Sequence, residues 1–294
     1  MELVVTLSEF NNIHALADYG VSIMAGSDFS SRFSYTREEL RKIVSTAKQR
    51  GIKVYVSVDA FINENDLTFL YEYIEDLKIM DVDGIYFNDL AVYNAAQSFG
   101  IENKLIYDGG PMITNSLDVS AYLSLGIDSV TLAREMTLDE DTNILRDHAG
   151  KLDMQIFGHL RMSTSKRMFM SNYFKYIGAD YNPKNRDNLT IVEEKRDYSL
   201  PIKETEYGTN IYTDYILECS EEIPYFNRLL KRGIMDDAFI DFDVTLDAVR
   251  SYVRIRDNNA QFIAKALRYK YPEVNFDSGY FFTKTNIIKE NEKD

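Results

Sequence analysis

Ser129-Val130-Thr131-Leu132-Ala133-Arg134-Glu135 runs directly into Met136-Thr137-Leu138-Asp139-Glu140-Asp141. The first four residues form a short apolar, β-prone run, and the segment from Thr137 reads as the start of a helix. An arginine and a glutamate therefore stand side by side where a strand ends and a helix begins. In an α/β barrel that edge carries the chemistry. Arg134 and Glu135 are the first candidates for catalytic residues.

The same strand–helix unit repeats outward from this stretch. Strands are predicted over residues 2–7, 21–25, 53–58, 84–87 and 105–107 before it, and over 152–157 after it. Between them lie helical segments, one opened by the capping box Thr36-Arg37-Glu38-Glu39 and closed by Gly51. Seven such units with short connections argue for parallel strands joined by right-handed crossovers. No Gly-x-Gly-x-x-Gly follows the first strand, which disfavours a dinucleotide-binding sheet. An eighth strand is expected at Ala238–Phe242, with a long helix over 245–268 to close the ring. The expected fold is a (β/α)8 TIM-like barrel in a single domain, residues 1–283, with an insertion at 158–233 after the seventh strand. The insertion is rich in Tyr, Asn and Arg, its segments 189–192 and 210–215 are expected to pair, and it should lie over the barrel mouth. Residues 284–294 read as a charged tail.

The chain has 294 residues, enough for one barrel of about 250 residues plus an insertion. Its net charge is −14, and an acidic surface repels phosphate backbones, which disfavours tight nucleic-acid binding by this chain alone. The single cysteine, Cys219, forms no internal disulfide and cannot by itself cage zinc or an iron–sulfur cluster. With no charged-then-apolar leader and no apolar run near the roughly 18 residues of a membrane helix, the chain reads as cytoplasmic, with no membrane contact.

The barrel places the residues after each strand at one mouth. In order these include Arg32, Asp59, Asn88, Asp89, Asp108, Arg134, Glu135 and His159. Each has a structural explanation: Asp59 and Asp89 as helix caps, Arg134 and Glu135 as pairs that hold loops. Together, charges converging from separate strands favour a ligand site. His159 reads either as a general base or as a hydrogen-bonded structural residue. Asp59, Asp89 and Asp108 are oxygen donors for a hard cation, but no spacing enforces one, and no metal site is assigned. No nucleophile elbow, His-Glu-x-x-His or Walker loop is present.

An ordered set of segments resembles the collagenase-like peptidase family U32. The pieces are Phe29-Ser-Ser-Arg32, Lys53-Val-Tyr-Val56, Asn88-Asp-Leu90, Ile113-Thr-Asn115, Leu132-Ala-Arg-Glu135, Met168-Phe-Met-Ser-Asn-Tyr-Phe174 and Asp277-Ser-Gly-Tyr-Phe-Phe-Thr-Lys-Thr285. The resemblance adds Asn115 and Arg161 to the ligand-binding candidates. Several members of the family hold an iron–sulfur cluster through four cysteines. Arg161 and Met168 align with the first two of those cysteines, so no cofactor is expected here. Short members look like companions of a longer, cysteine-bearing paralogue, in a pair resembling the apparatus for prephenate-dependent 5-hydroxylation of the tRNA wobble uridine. That implies such a paralogue as partner, tRNA reached through the complex, and a small carboxylate such as prephenate as ligand. A peptidase and a non-catalytic scaffold are the alternative readings.

Overall fold

In the computed structural model, which describes residues 1–192, 194 and 198–283, the repeating units are barrel units. Seven parallel strands follow one another: β1 (Glu2–Thr6), β2 (Ser22–Ala25), β3 (Val54–Val58), β4 (Gly84–Phe87), β5 (Leu105–Tyr107), β6 (Ser129–Thr131) and β7 (Leu152–Ser165). The chain then makes an excursion through β8 (Thr190–Val192), β9 (Ser199–Thr205) and β10 (Gly208–Glu218) before β11 (Arg232–Met235). β11 pairs in parallel with both β1 and β7, which closes an eight-stranded barrel. A two-residue strand, β12 (Phe276–Asp277), pairs with β10.

The crossovers run through α1 (Ile13–Ala17), α2 (Arg37–Gln49), α3 (Leu67–Met80), α4 (Leu90–Ser98), α5 (Ser116–Leu123) and α6 (Leu138–Asp147). The insertion carries α7 (Phe169–Tyr176) and α8 (Ile223–Phe226), and α9 (Phe242–Tyr252) and α10 (Ala260–Lys270) follow the last strand. The capping box at Thr36 forms as expected: Glu39 N–H donates to Thr36 Oγ1 at 3.2 Å and Thr36 N–H to Glu39 Oε2 at 2.7 Å. α2 then buries Leu40, Ile43, Val44 and Ala47, the spacing of one helical face, and Gly51 ends it at φ +71°. A second box, Thr137 with Glu140, opens α6 directly after Arg134 and Glu135.

Every residue of β3, β4, β5 and β6 is buried, as strands covered on both faces require. The main core lies between strands and helices; a smaller cluster of Val4, Met24, Phe33, Tyr55, Tyr86, Ile106 and Ile234 fills the barrel lumen. Below it, at the N-terminal ends of the strands, Arg232 forms a buried polar plug. Its guanidinium donates to Asp153 at 2.9 Å, Ser129 at 2.8 Å and Tyr55 at 3.0 Å, and it pairs with Asp128.

Four expectations need correction, the last of them the boundary of the insertion. The eighth strand is Arg232–Met235, not 238–242. The apolar stretch at 238–242 is a turn, with Phe239 at φ +63°, that leads into α9. Gly233 weakened the strand signal; in the barrel it packs closely on the Ile156 side chain, whose Cδ1 would lie 2.5 Å from a Cβ there. The helix expected over 245–268 is two helices. Asn259 breaks it by taking up the backbone at the bend, accepting from Arg256 N–H at 2.6 Å and donating to Arg254 C=O at 3.1 Å. Segments 189–192 and 210–215 do not pair with each other, because β9 lies between β8 and β10.

The expected boundary at 158 falls inside a continuous strand. β7 leaves the barrel and extends to Ser165, antiparallel to β10, so insertion and barrel share one sheet. The sheet folds over the mouth, where Asn210 Nδ2 donates to Ser31 C=O at 2.7 Å and Lys166 Nζ to Phe61 C=O at 2.8 Å. The charged tail at 284–294 lies outside the described residues. Among the described residues no helix is long and apolar enough to cross a membrane.

Candidate functional site

The C-terminal mouth of the barrel holds a buried network of guanidinium and carboxylate groups. Arg32, in the loop after β2, is its hub. It donates to Asp236 at 3.0 Å and to Asp108 at 3.4 Å, and its Nε lies 3.5 Å from Asp59. Arg134, directly after β6, lays Nη2 across both Asp108 oxygens at 3.0 and 2.9 Å, and its Nε donates to Gln155 Oε1 at 3.0 Å. Arg161, on the extended β7, donates to Asp59 at 2.5 Å and to Ser31 Oγ at 3.0 Å. The side chains of Arg32, Arg134 and Arg161 are only 6–7% exposed. Buried charges survive when paired and fully hydrogen-bonded, and here three cations face Asp59, Asp108 and Asp236.

The pKa shifts follow from this pairing. Burial pushes the Asp59 carboxyl up, but Arg161 and Arg32 outweigh it and hold the group below its ordinary value. Burial likewise opposes ionisation of Asp108, and Arg134 and Arg32 hold it well below the usual carboxylate range. Arg134 is lowered, by burial first and by the neighbouring Arg32 and Arg161, against the pull of Asp108. Asp237 differs. Burial, aided by the adjacent Asp236, pushes it up to about 6, although Thr6 and Ser8 N–H donate to it. Gly158 allows β7 to approach the loop after β11. At φ +107° its missing Cβ would lie 2.1 Å from Asp236 C=O.

A cavity of about 420 Å³ opens above this network. Asn88, Asp108, Arg134 and Arg161 line it, with Phe61, Tyr107, Met112 and Met162 as apolar rim. The carboxylate clamps use only part of each guanidinium. Arg134 Nη1 and Arg161 Nη2 donate to no group among the described residues, so fixed cationic donors remain for a ligand.

The mouth brings together five of the expected residues: Arg32, Asp59, Asp108, Arg134 and Arg161. Asn88 joins them by donating to Asp59 C=O at 2.8 Å. The other four stand apart. Asp89 caps α4, accepting from Ala91 N–H at 2.9 Å and from Ile62 N–H at 3.1 Å. Asn115 caps α5 at the surface, 3.0 Å from both Leu117 and Asp118 N–H. Glu135 points to solvent and makes no hydrogen bond among the described residues. His159 is buried, with Nδ1 2.7 Å from Thr213 C=O and its ring edge-on to Phe239. A carbonyl only accepts, so Nδ1 carries the proton, and burial lowers the imidazole pKa. His159 does not line the cavity.

Sequence reasoning missed Asp236, Asp237, Gln155, Asn210 and Tyr212, the last buried beside the charges of Asp236, Arg32 and Arg161. The first two follow the strand that was misplaced. Gln155 had a signal, a lone amide in the apolar run 152–157.

The matching model is that of peptidase family U32, over residues 8–240. The chain belongs to this family. The tRNA hydroxylation protein P2 of Bacillus subtilis (strain 168) is 30% identical over 217 residues, 71% of this chain and 70% of that protein. A collagenase of Porphyromonas gingivalis (strain ATCC BAA-308 / W83) is 22% identical over 214 residues, 68% of this chain and 50% of that one. The B. subtilis tRNA hydroxylation protein P1 is 24% identical over 58% of this chain and 42% of its own length. The chain thus spans about half the length of the longer relatives it matches. The solved U32 peptidase Mk0906 shares the fold, with a TM-score of 0.51 at 13% identity, covering 80% of this chain and 92% of that one.

The residues present do not fit the four-thiolate cluster of some family members. Arg161 is committed to Asp59 and Ser31, Met168 is a thioether at the start of α7, and Cys219 is fully buried with its thiol donating to Ile156 C=O. Burial also pushes that thiol well above its ordinary pKa, away from the thiolate a metal needs.

Proposed function

We propose that this chain is the anion-binding barrel subunit of a tRNA wobble-uridine 5-hydroxylation system that uses prephenate. The observation that carries the reading is the pair Arg134 and Arg161, each clamped from behind by a carboxylate and each left with a free donor at the cavity. A dicarboxylate of prephenate's size suits two such cations, and the clamps pre-organise them so that little ordering entropy is lost on binding. The likeness to tRNA hydroxylation proteins P2 and P1 supports the reaction class. The cavity lining offers the ion-paired Arg134, Arg161 and Asp108, and its hydroxyls Ser163 and Thr164 have no side-chain base bonded to them among the described residues, which favours binding over peptide hydrolysis. The partner in this reading is a longer, cysteine-bearing paralogue, and this chain works without a cluster of its own.

Titration calorimetry with prephenate tests the reading. Saturable binding is expected from wild type and none from Arg161→Met. Absence of prephenate binding by the chain and by its complex with the paralogue rejects the ligand. Cleavage of a collagen-like peptide by the purified chain, lost on altering the mouth residues, establishes the peptidase reading instead.

A further inference from the structure

The acidity of the chain is not evenly spread. Between Arg161 and Val192 there are six Lys or Arg against two Asp or Glu, in a chain whose net charge is −14. This is the stretch that leaves the barrel and carries α7. Lys166, Arg167 and Lys175 are exposed and form no ion pair with any described carboxylate.

α7 itself is unusual. None of its residues is buried. Phe169, Tyr173 and Tyr176 recur at helical spacing on one side and are 46%, 55% and 88% exposed. Of its apolar residues only Met170 and Phe174 are half-buried, and its main anchor is polar. The fully buried Glu204 accepts from Met170 N–H at 2.8 Å, Ser171 N–H at 3.1 Å, the Ser171 hydroxyl and Thr209 Oγ1 at 3.1 Å. A buried carboxylate at a helix N-terminus is a strong restraint. The helix is therefore fixed while its rings stay in water. It starts beside the cavity, because Lys166 is bonded to Phe61, and Phe61 and Met162 form the cavity rim.

We propose that α7 and its basic flank are a docking face for single-stranded RNA. The bases stack on Phe169, Tyr173 and Tyr176, and the phosphates lie on Lys166, Arg167 and Lys175. Rings interleaved with cations that no described carboxylate neutralises match the chemistry of an unpaired strand, which offers π-faces and a phosphate line together. A duplex hides its bases and cannot use the rings. The proposal rests on the reading of the chain as part of a tRNA-modifying system, and it names the surface that brings the RNA to the mouth.

The test is fluorescence anisotropy of a labelled oligouridine with the full-length chain at low ionic strength. The expected affinity is modest, because the rest of the surface is acidic, and it falls steeply with salt. Replacing Tyr173 and Tyr176 with Ala weakens binding by roughly tenfold per ring. The Lys166→Glu, Arg167→Glu pair weakens it further and flattens the salt dependence. Duplex RNA competes poorly. Tyr173, Tyr176 and Arg167 are exposed, so their substitution leaves the thermal midpoint at the wild-type value, while Lys166→Glu gives up the surface bond to Phe61 C=O and lowers it slightly. Variants that bind oligouridine as wild type does overturn the proposal. Variants that lose the paralogue but keep their RNA affinity assign the face to a protein partner instead. If deleting the gene removes the wobble nucleoside while RNA affinity ignores these substitutions, the functional reading stands and this one fails.

Discussion

Replacing Arg134 with Lys separates the two jobs the structure gives this side chain. The guanidinium holds Asp108 with two bonds, at 3.0 and 2.9 Å, holds Gln155 with a third, at 3.0 Å, and leaves Nη1 without an acceptor among the described residues, in a side chain that lines the cavity. Lysine keeps a positive charge near Asp108, and Asp108 retains Arg32 at 3.4 Å, so the buried carboxylate is not orphaned. What is lost is the Gln155 bond, about 1 kcal/mol, and part of the fork on Asp108, about 1–2 kcal/mol more. At roughly 2–4 °C per kcal/mol for a chain of this size, the midpoint falls by about 4–12 °C and the protein still folds. The ammonium cannot reach Asp108 and the cavity at once, so prephenate binding and complementation in cells are lost. Arg134→Met is harsher. It leaves Asp108 with only the 3.4 Å contact to Arg32, so the cost rises toward that of a broken buried pair, about 3 kcal/mol. The assays are differential scanning fluorimetry with and without prephenate, and complementation of a deletion strain. An Arg134→Lys protein that complements fully refutes the reasoning. One that fails only because it does not fold makes Arg134 a structural residue.

Three further outcomes follow from particular residues. Asp141, 2% exposed in α6, has its carboxyl pushed up to about 8, by burial first and then by Glu140, and its Oδ1 has no partner among the described residues. A carboxyl raised in the folded state loses stability as pH climbs from its unfolded value, near 4, through its folded one. Asp141→Asn therefore stabilises at pH 8 by a few kcal/mol, and the gain vanishes below pH 4; chemical denaturation at several pH values reads it, and an equal effect at both ends contradicts the cause. Anaerobically purified protein is expected to be colourless and free of iron and acid-labile sulfide, and stoichiometric iron with sulfide by elemental analysis rejects this. Gly158→Ala drives a methyl into Asp236 C=O at a backbone angle that L-residues avoid, so it is expected to cost at least about 3 kcal/mol or to abolish soluble expression, whereas Gly51→Ala, in open space, costs only about 1 kcal/mol from its positive φ.

Local signals carried the barrel and half of the site. Short apolar runs ending in Asp59, Asp108 and Arg134 mark strand ends, because parallel strands are buried on both faces and the polar residue comes where the strand surfaces. The capping boxes at Thr36 and Thr137 were legible for the same reason: both partners lie within one turn. The failures are non-local. Gly233-Ile234-Met235 is too short and too glycine-bearing to outscore 238–242, and only ring closure between β1 and β7 makes it a strand. Asp236 and Asp237 were lost with it. Asn210 and Tyr212 reach the mouth because β10 pairs with an extended β7, a contact across dozens of residues that no periodicity reveals. Asp89 followed a predicted strand, as the site residues do, and Asn115 entered through the family resemblance; the capping bonds of both put them outside the site. Charge was misleading as a single number. A value of −14 describes the whole surface and hides the basic stretch after Arg161.

Mass spectrometry of tRNA nucleosides from a strain lacking this gene tests the central claim most directly. The account predicts that wobble 5-hydroxyuridine and its derivatives disappear, and that they return with the wild-type gene but not with Arg134→Lys. Unchanged wobble nucleosides in a deletion strain with no other source of the modification would contradict it and leave the chain a U32 barrel with a different ligand at its mouth.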